Sequence, residues 1–582
     1  MKIGEHSTPG LLNQINYMWK LKGLGLDFNS QLVYHIQKLS TCHAETRFVE
    51  LSVGRVKGRK RYGLYGHEFF SFEGIPYGKP PLGKLRFQPP KPAEPWPGKE
   101  LDCLQEREVP MQVDRATGCA IGSEDCLYLN VYTKHLDCTE KPLPVLVYIY
   151  GGAFRSGGAT RAKYGPDYLM REDVVLVFFN YRVCALGFLS CCSKELSLSG
   201  NVGLQDQLLA LRWVQQHISH FNGDPLNVTL FGQSAGAASV HFMMCVPQAK
   251  GLFSKAIMMS GCMLNPWAQA HEQQMNCCRL AVRSGYEGPL TEACILKHLL
   301  SVPPERLVQH NMYSFFENCF GLLHPFVPGV DQCETSEGLL RRPYIELMRN
   351  AWSSRMPLLL GGTSLEGLVM YPICKLYNGF LLDILREKPT RVLPYELYRK
   401  MCVEERECRV ADVLRCHFGP RNIIKNNVWQ VLEMFGIKMF WHGLHRVVRS
   451  RLCHAQAPTY VYRFDFDSPT FNFMRMRLCG NDIKCGVCHA DDLGYIFHKQ
   501  GVEKLSPDSL EYATMQRMVS ILTTFARSGN PNCEQTGPEE WLPVTQKRPY
   551  SVMNINRALE FIRQPESTCL EVWNNLYTKD LY

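Results

Sequence analysis

The chain is predicted to fold as an α/β protein, a large and mostly parallel sheet covered by helices on both faces. Two short runs, Leu146 to Tyr150 and Val174 to Asn180, are rich in β-branched and aromatic residues and bounded by Gly, Pro or charged turns. They lack polar alternation, as expected of strands buried on both faces. Between Leu204 and Ile218, apolar residues (Leu208, Leu211, Trp213, Val214, Ile218) recur near helical spacing, and a strand from Asn227 to Phe231 follows the turn Asn222-Gly223-Asp224-Pro225. Further strands are expected over Ala256 to Met259, Pro357 to Leu360 and Thr459 to Phe464, with mostly helical-looking stretches between them. Strand and helix alternating in this way imply a parallel sheet with helical crossovers. No internal repeat, low-complexity tract or linker divides the chain, so residues 46–582 are read as one domain after an N-terminal segment, 1–45.

Composition narrows the function. With 45% hydrophobic and 20% charged residues over 582 positions the chain is an ordinary globular one, neither disordered nor fibrous. The excess of 64 basic over 55 acidic residues is small, and its clearest cluster, Arg55, Lys57, Arg59, Lys60 and Arg61, reads as a solvated turn rather than a nucleic-acid footprint. The longest apolar stretches run six to eight residues, far below the roughly 20 that span a bilayer. No secretory leader or retention tetrapeptide is evident, and Asn227-Val228-Thr229, the one N-x-S/T site, falls in an expected buried strand. Twenty-five cysteines, an odd number, then read mostly as buried thiols of a cytoplasmic protein. Leu11, Leu12, Ile15, Met18 and Trp19, followed by Lys20 and Lys22, have the spacing of a short amphipathic helix. Packing against the protein body is favoured over peripheral membrane contact.

Phe231 to Gly236 reads FGQSAG, a G-x-S-x-G string centred on Ser234. Composition alone would yield roughly 0.2 such strings, so its context carries the argument. It directly follows an expected strand and opens the small-residue helix start Ala235-Gly236-Ala237-Ala238, where a sharp turn would lift the serine hydroxyl above the sheet. A serine hydroxyl becomes a nucleophile only when a base takes its proton, and the base needs a carboxylate to fix its tautomer. Glu366, on the loop after Pro357 to Leu360, and His489, in the polar loop Gly486 to Asp492, occur in the order this turn calls for. Position alone separates Glu366 neither from an ordinary loop glutamate nor His489 from the other histidines. Tyr150-Gly151-Gly152-Ala153-Phe154, at the end of a buried strand, offers N–H groups for an oxyanion, and Ala235 offers another.

Taken in order, these residues resemble the type-B carboxylesterase family of α/β-hydrolases. The likeness begins at Phe72 to Tyr77, with Pro80-Pro81 and Arg86-Phe87, and continues through Ser123 to Tyr132 and Asn201 to Leu204 with Asp206-Gln207. It covers the Ser234 turn and the His489 loop and ends near Gly529 to Asn532. Thr363 to Leu368 and Tyr460 to Asp467 are most similar to intracellular insect alpha-esterases. The resemblance implies carboxylic ester hydrolysis with Ser234 as nucleophile, His489 as base and Glu366 as its acid, and with Gly152, Ala153 and Ala235 donating to the oxyanion. Small hydrophobic esters would be substrates and organophosphates covalent inhibitors, with no cofactor or metal.

Several positions depart from the family pattern. Gln233 stands where glutamate is usual, a variant that juvenile hormone esterases share; Ala153 replaces a third glycine, and Cys184 another glycine. Cys103 and Cys126 match the family's first disulfide, which a reducing cytosol would leave open. No tryptophan lies between them, which argues against a cholinesterase. Cys485-Gly486-Val487-Cys488-His489 also matches the C-x-x-C-H haem string, a reading that would leave the long likeness unexplained. Two further alternatives stay open: a scavenger that binds esters or organophosphates with little turnover, and a juvenile hormone esterase-like hydrolase.

Overall fold

The computed structural model describes residues 45–577 apart from 97, 137–140, 191–197, 199, 311–322, 332–337, 376–378, 421–427 and 538. The amphipathic stretch over residues 11–22 lies outside them. A single sheet of thirteen strands organises the described residues: β1 (Thr46–Leu51), β2 (Gly54–Tyr62), β3 (Glu68–Pro76), β4 (Glu100–Asp102), β5 (Tyr128–Thr133), β6 (Leu143–Ile149), β7 (Val175–Phe179), β8 (Gly223–Gln233), β9 (Lys255–Met259), β10 (Leu358–Thr363), β11 (Thr459–Phe464), β12 (Ser551–Ile555) and β13 (Leu559–Arg563). Across the sheet they run β1-β2-β3-β5-β7-β6-β8-β9-β10-β11-β12-β13, with β4 beside β2. From β7 to β12 every neighbouring pair is parallel.

Burial explains this division. β7, β9 and β10 are buried at every position, so helices must cover both their faces. Among the helices packed on the parallel strands β6, β8 and β9 are α1 (Val202–His217), α2 (Ala235–Cys245) and α3 (Leu510–Ser528). The outer pairs β1–β2, β2–β3, β3–β5 and β12–β13 are antiparallel and partly solvated, while the short β4 runs parallel to β2, features the short apolar runs do not reveal.

Strand limits also differ from expectation. β8 begins at Gly223, inside the expected turn, because Gly223 already pairs with Leu143 before a bulge precedes Val228. β10 extends through Gly361, Gly362 and Thr363, which pair with Tyr462, Arg463 and Phe464. The basic cluster is not a solvated turn: it lies along β2, and carboxylates of Glu45, Glu50, Glu68, Glu73 and Glu100 pair with its cations. Asn227 is half-buried and Thr229 fully buried in β8.

Two buried ion pairs fix the loops around the sheet. Arg182 grips Asp206 of α1 through Nη2 and Nε at 2.7 and 2.9 Å, and Arg86 grips Glu124 at 2.5 and 2.7 Å while donating to the Val302 carbonyl at 2.7 Å. Bidentate geometry with every oxygen engaged is what makes such burial tolerable. Among the described residues no single helix is long and apolar enough to cross a membrane.

Candidate active site

The parallel register brings the carboxyl ends of β6, β8, β10 and β11 to one edge, where such sheets gather their functional groups. Ser234 sits between β8 and α2 at φ 58° and ψ −122°, a left-handed conformation costly for a residue with a Cβ. The turn closes only because its flanks are glycines. A Cβ on Gly232 would come within 2.5 Å of the Gly236 carbonyl carbon, and one on Gly236 within 1.9 Å of the Ile149 oxygen. Ser234 N–H donates to Met259 O at 2.8 Å, and Ala238 N–H to Ser234 O at 2.9 Å. Among the described residues its hydroxyl has no hydrogen-bond partner.

Glu366 opens a short turn just after β10 and points back at it. Its Oε1 accepts the Thr363 N–H at 2.8 Å, and a Cβ on Gly362 would occupy the space this oxygen needs. Oε2 lies 2.6 Å from His489 Nδ1, with the carboxylate 1% and the histidine 7% exposed. The two loops are stitched by Leu365 N–H to Val487 O at 3.0 Å. Beyond His489, Ala490 turns the chain at φ 70°, and Asp491 accepts N–H groups from Cys488 and Met474 at 2.8 and 2.7 Å. The Phe440 ring lies 4.4 Å from the imidazole, centre to centre. Burial, reinforced by the Glu366 and Asp491 carboxylates, pushes Asp492 up to about 8. The Asp331 carboxylate, by contrast, accepts from Asn201 Nδ2 at 2.6 Å and the Leu340 N–H at 2.8 Å.

A carboxylate only accepts, so Nδ1 of His489 carries the proton and Nε2 presents its lone pair. That lone pair faces the side-chain amide nitrogen of Gln233 at 3.2 Å.

The loop after β6 presses against the elbow: a Cβ on Gly151 would come within 2.9 Å of Ser234 Cβ. Gly152, Ala153 and Phe154 all have positive φ, so Ala153 adds strain as well as a methyl group. Among the described residues the N–H groups of Gly152, Ala153 and Ala235 have no acceptor. Gly152 O, by contrast, accepts three bonds, from Arg155 N–H (3.1 Å), Ser156 N–H (3.2 Å) and Arg115 Nη2 (3.3 Å). This carbonyl belongs to the same peptide as the Ala153 N–H, which the three donors therefore polarise. Arg115 is carried on a hairpin (Gln112–Val113 with Ala120–Ile121) that docks through Gln112 onto both backbone groups of Gly157, at 2.6 and 2.7 Å. No sequence motif singles out Arg115.

Cys184, unexplained by sequence, has φ 61°, which accounts for glycine being usual there; its thiol donates to Arg155 O at 2.9 Å and its N–H to Phe154 O at 2.8 Å. Cys103 and Cys126 are the pair that the resemblance would join. Both are buried free thiols, and burial pushes Cys103 up to about 12 and Cys126 well above its ordinary value. In the C-x-x-C-H string Cys485 is exposed, Cys488 is buried, and both His489 nitrogens face partners within the chain.

Residues 45–573 match the carboxylesterase family. The chain belongs to that family. This carboxylesterase is 35% identical over 547 residues to Esterase B1 of Culex pipiens, covering 92% of the chain and 99% of that protein. It is 30% identical to Esterase E4 of Myzus persicae, over 91% of the chain and 95% of that protein. Its fold matches the crystal structure of juvenile hormone esterase from Manduca sexta, with OTFP covalently attached, at a TM-score of 0.80 and 27% identity, covering 92% of the chain and all of that one. Family and fold together make the carboxylesterase a hydrolase of α/β-hydrolase architecture.

Proposed function

We propose that this carboxylesterase hydrolyses small hydrophobic carboxylic esters through an acyl-serine intermediate. The observation that carries the reading is the 2.6 Å bond from His489 Nδ1 to the buried Glu366 carboxylate, which leaves Nε2 basic beside the Ser234 turn. In the first half-reaction Nε2 takes the Ser234 proton as Oγ attacks the ester carbonyl, and the oxyanion falls to the unspent N–H groups of Gly152, Ala153 and Ala235. His489 then returns the proton to the departing alcohol. Water repeats the sequence on the acyl-serine, and the Glu366 charge stabilises the imidazolium in both halves. The route uses no cofactor.

An organophosphate presents a tetrahedral centre resembling the acylation intermediate and should be attacked by Ser234. Its adduct should be lost slowly, because water delivered by His489 is aligned for a trigonal carbonyl. The test is a fluorophosphonate probe combined with steady-state hydrolysis of a simple ester. Labelling should reach one equivalent per chain, on the peptide holding Ser234, and be slowed by a competing ester. Label on a tyrosine or lysine would refute the assignment, and rapid labelling without turnover would favour a scavenger. A second reading, hydrolysis of juvenile hormone, is supported by the Manduca sexta likeness and by 28% identity to juvenile hormone esterase of Tribolium castaneum. A panel varying acyl length and alcohol size, with juvenile hormone included, separates the two by their kcat/KM ratios.

A further inference from the structure

One buried polar side chain at the site has no part in the scheme above. Gln233 immediately precedes Ser234, is 4% exposed, and has its amide nitrogen 3.2 Å from His489 Nε2. Since Nδ1 is already bonded to Glu366, the amide is the donor in this contact and the imidazole lone pair the acceptor. That is the lone pair needed to receive the Ser234 proton.

We infer that Gln233 is a positioning residue that caps His489 Nε2 in the resting enzyme, holding the imidazole neutral and its lone pair turned toward the elbow until the Ser234 hydroxyl takes the amide's place as donor. The inference rests on the acyl-serine reading above. In the exchange the amide N–H···Nε2 bond is lost and an Oγ–H···Nε2 bond forms. As Oγ attacks, its proton passes to Nε2 and its former O–H electron pair stays on oxygen. Nε2–H and the amide are then both donors, so the amide must withdraw or turn its oxygen toward the ring. A glutamate at this position would do the opposite, accepting from Nε2–H and favouring the charged ring over the neutral base. The ionisable groups nearest the pair are Glu366 on the Nδ1 side, Asp491, Asp492 and Cys488 on the histidine's own loop, and the Tyr462 phenol of β11, 3.3 Å from Asp492. None of them is bonded to Nε2, which leaves Gln233 as its polar contact among the described residues.

The experiment measures kcat/KM against pH on one neutral ester for wild type, Gln233→Glu and Gln233→Met, and titrates Ser234 in each with the fluorophosphonate probe. Donation to a neutral base favours that form, so removing the donor should move the acid-side midpoint upward in Gln233→Met. Supplying a carboxylate should move it further in Gln233→Glu, by about 1 to 3 pH units. Identical midpoints in all three proteins, with Ser234 still labelled, would overturn the cap. Should Gln233→Glu fail to fold, the methionine variant decides alone: a raised midpoint supports the cap, an unmoved or lowered one refutes it. The underlying reading fails separately, and visibly, if the wild-type protein is not labelled at Ser234 and Ser234→Ala hydrolyses the ester at the wild-type rate.

Discussion

From Phe231 to Gly236 the geometry of the Ser234 turn follows from residues a few positions apart and the strands alongside: two glycines that cannot carry a Cβ, and a serine forced to φ 58°. Glu366 and His489, which meet at 2.6 Å, are 123 residues apart and are joined by hydrogen bonds between loops that follow different strands. The turn is a steric object, written in a six-residue string. The Glu366–His489 pair is a tertiary object, created by the register of β10 on β11 and by single contacts such as Leu365 N–H to Val487 O. Mutations should accordingly damage the first through backbone collision and the second through proton placement.

Gly236→Ala should break the comparison most severely on the steric side, since its methyl would lie 1.9 Å from Ile149 O. We expect activity below about a thousandth of wild type together with a stability loss of at least ~1–3 kcal/mol, read by ester hydrolysis and denaturant unfolding. Activity within tenfold of wild type would show that the elbow can relax. Glu366→Gln leaves shape almost intact but places an amide nitrogen where Nδ1–H needs an acceptor. The ring is expected to change tautomer, with kcat falling about 10³- to 10⁴-fold while the melting temperature stays nearly constant. If Asp491→Asn were as impaired and Glu366→Gln were active, the acid would be misassigned.

Arg115→Met tests a contact belonging to neither region. It removes one of three donors on Gly152 O, one bond away from the N–H that would meet the oxyanion. Direct donors are worth about 10²- to 10³-fold, so an indirect one should cost kcat less than about tenfold with KM little changed. An effect confined to KM would point to substrate binding instead. The smallest expected effect is that of Ala153→Gly, which relieves a positive φ and removes a methyl beside the site. The rate ratio between a bulky and a small acyl ester should rise a few-fold; an unchanged ratio would place that methyl outside the acyl pocket.

How much was legible in the sequence follows the same division. β11 is legible to the residue, since Thr459 to Phe464 is rich in β-branched and aromatic residues and bounded by Pro458 and Asp465. β10 was cut short because Gly361-Gly362-Thr363 looks like a loop, and only pairing with β11 makes it strand. Strands β1 to β5 are hidden because charged residues interrupt them, and the cations of β2 are satisfied by Glu45, Glu68 and Glu73, which only the strand pairing brings alongside. At the site, Ser234 was legible from its string and context, whereas Glu366 and His489 rested on resemblance. Arg115 was invisible, since its partner is a backbone carbonyl. Cys184 was noticed as a departure and understood only from its backbone angle.

The support of Gly152 O also bears on how the enzyme should respond to heat. Two of its donors belong to the loop itself, but the third arrives on a hairpin whose tip, Arg115 to Cys119, is exposed and stands outside the large sheet. Such peripheral hairpins open locally at a free-energy cost well below that of global unfolding. On warming, hydrolysis should therefore fade while the sheet remains intact, and return on cooling. A gap between the temperature of half-inactivation and that of the circular-dichroism transition, closed by a disulfide or proline that stiffens the hairpin, would show that the working ceiling of this catalyst is set at its periphery rather than in its core.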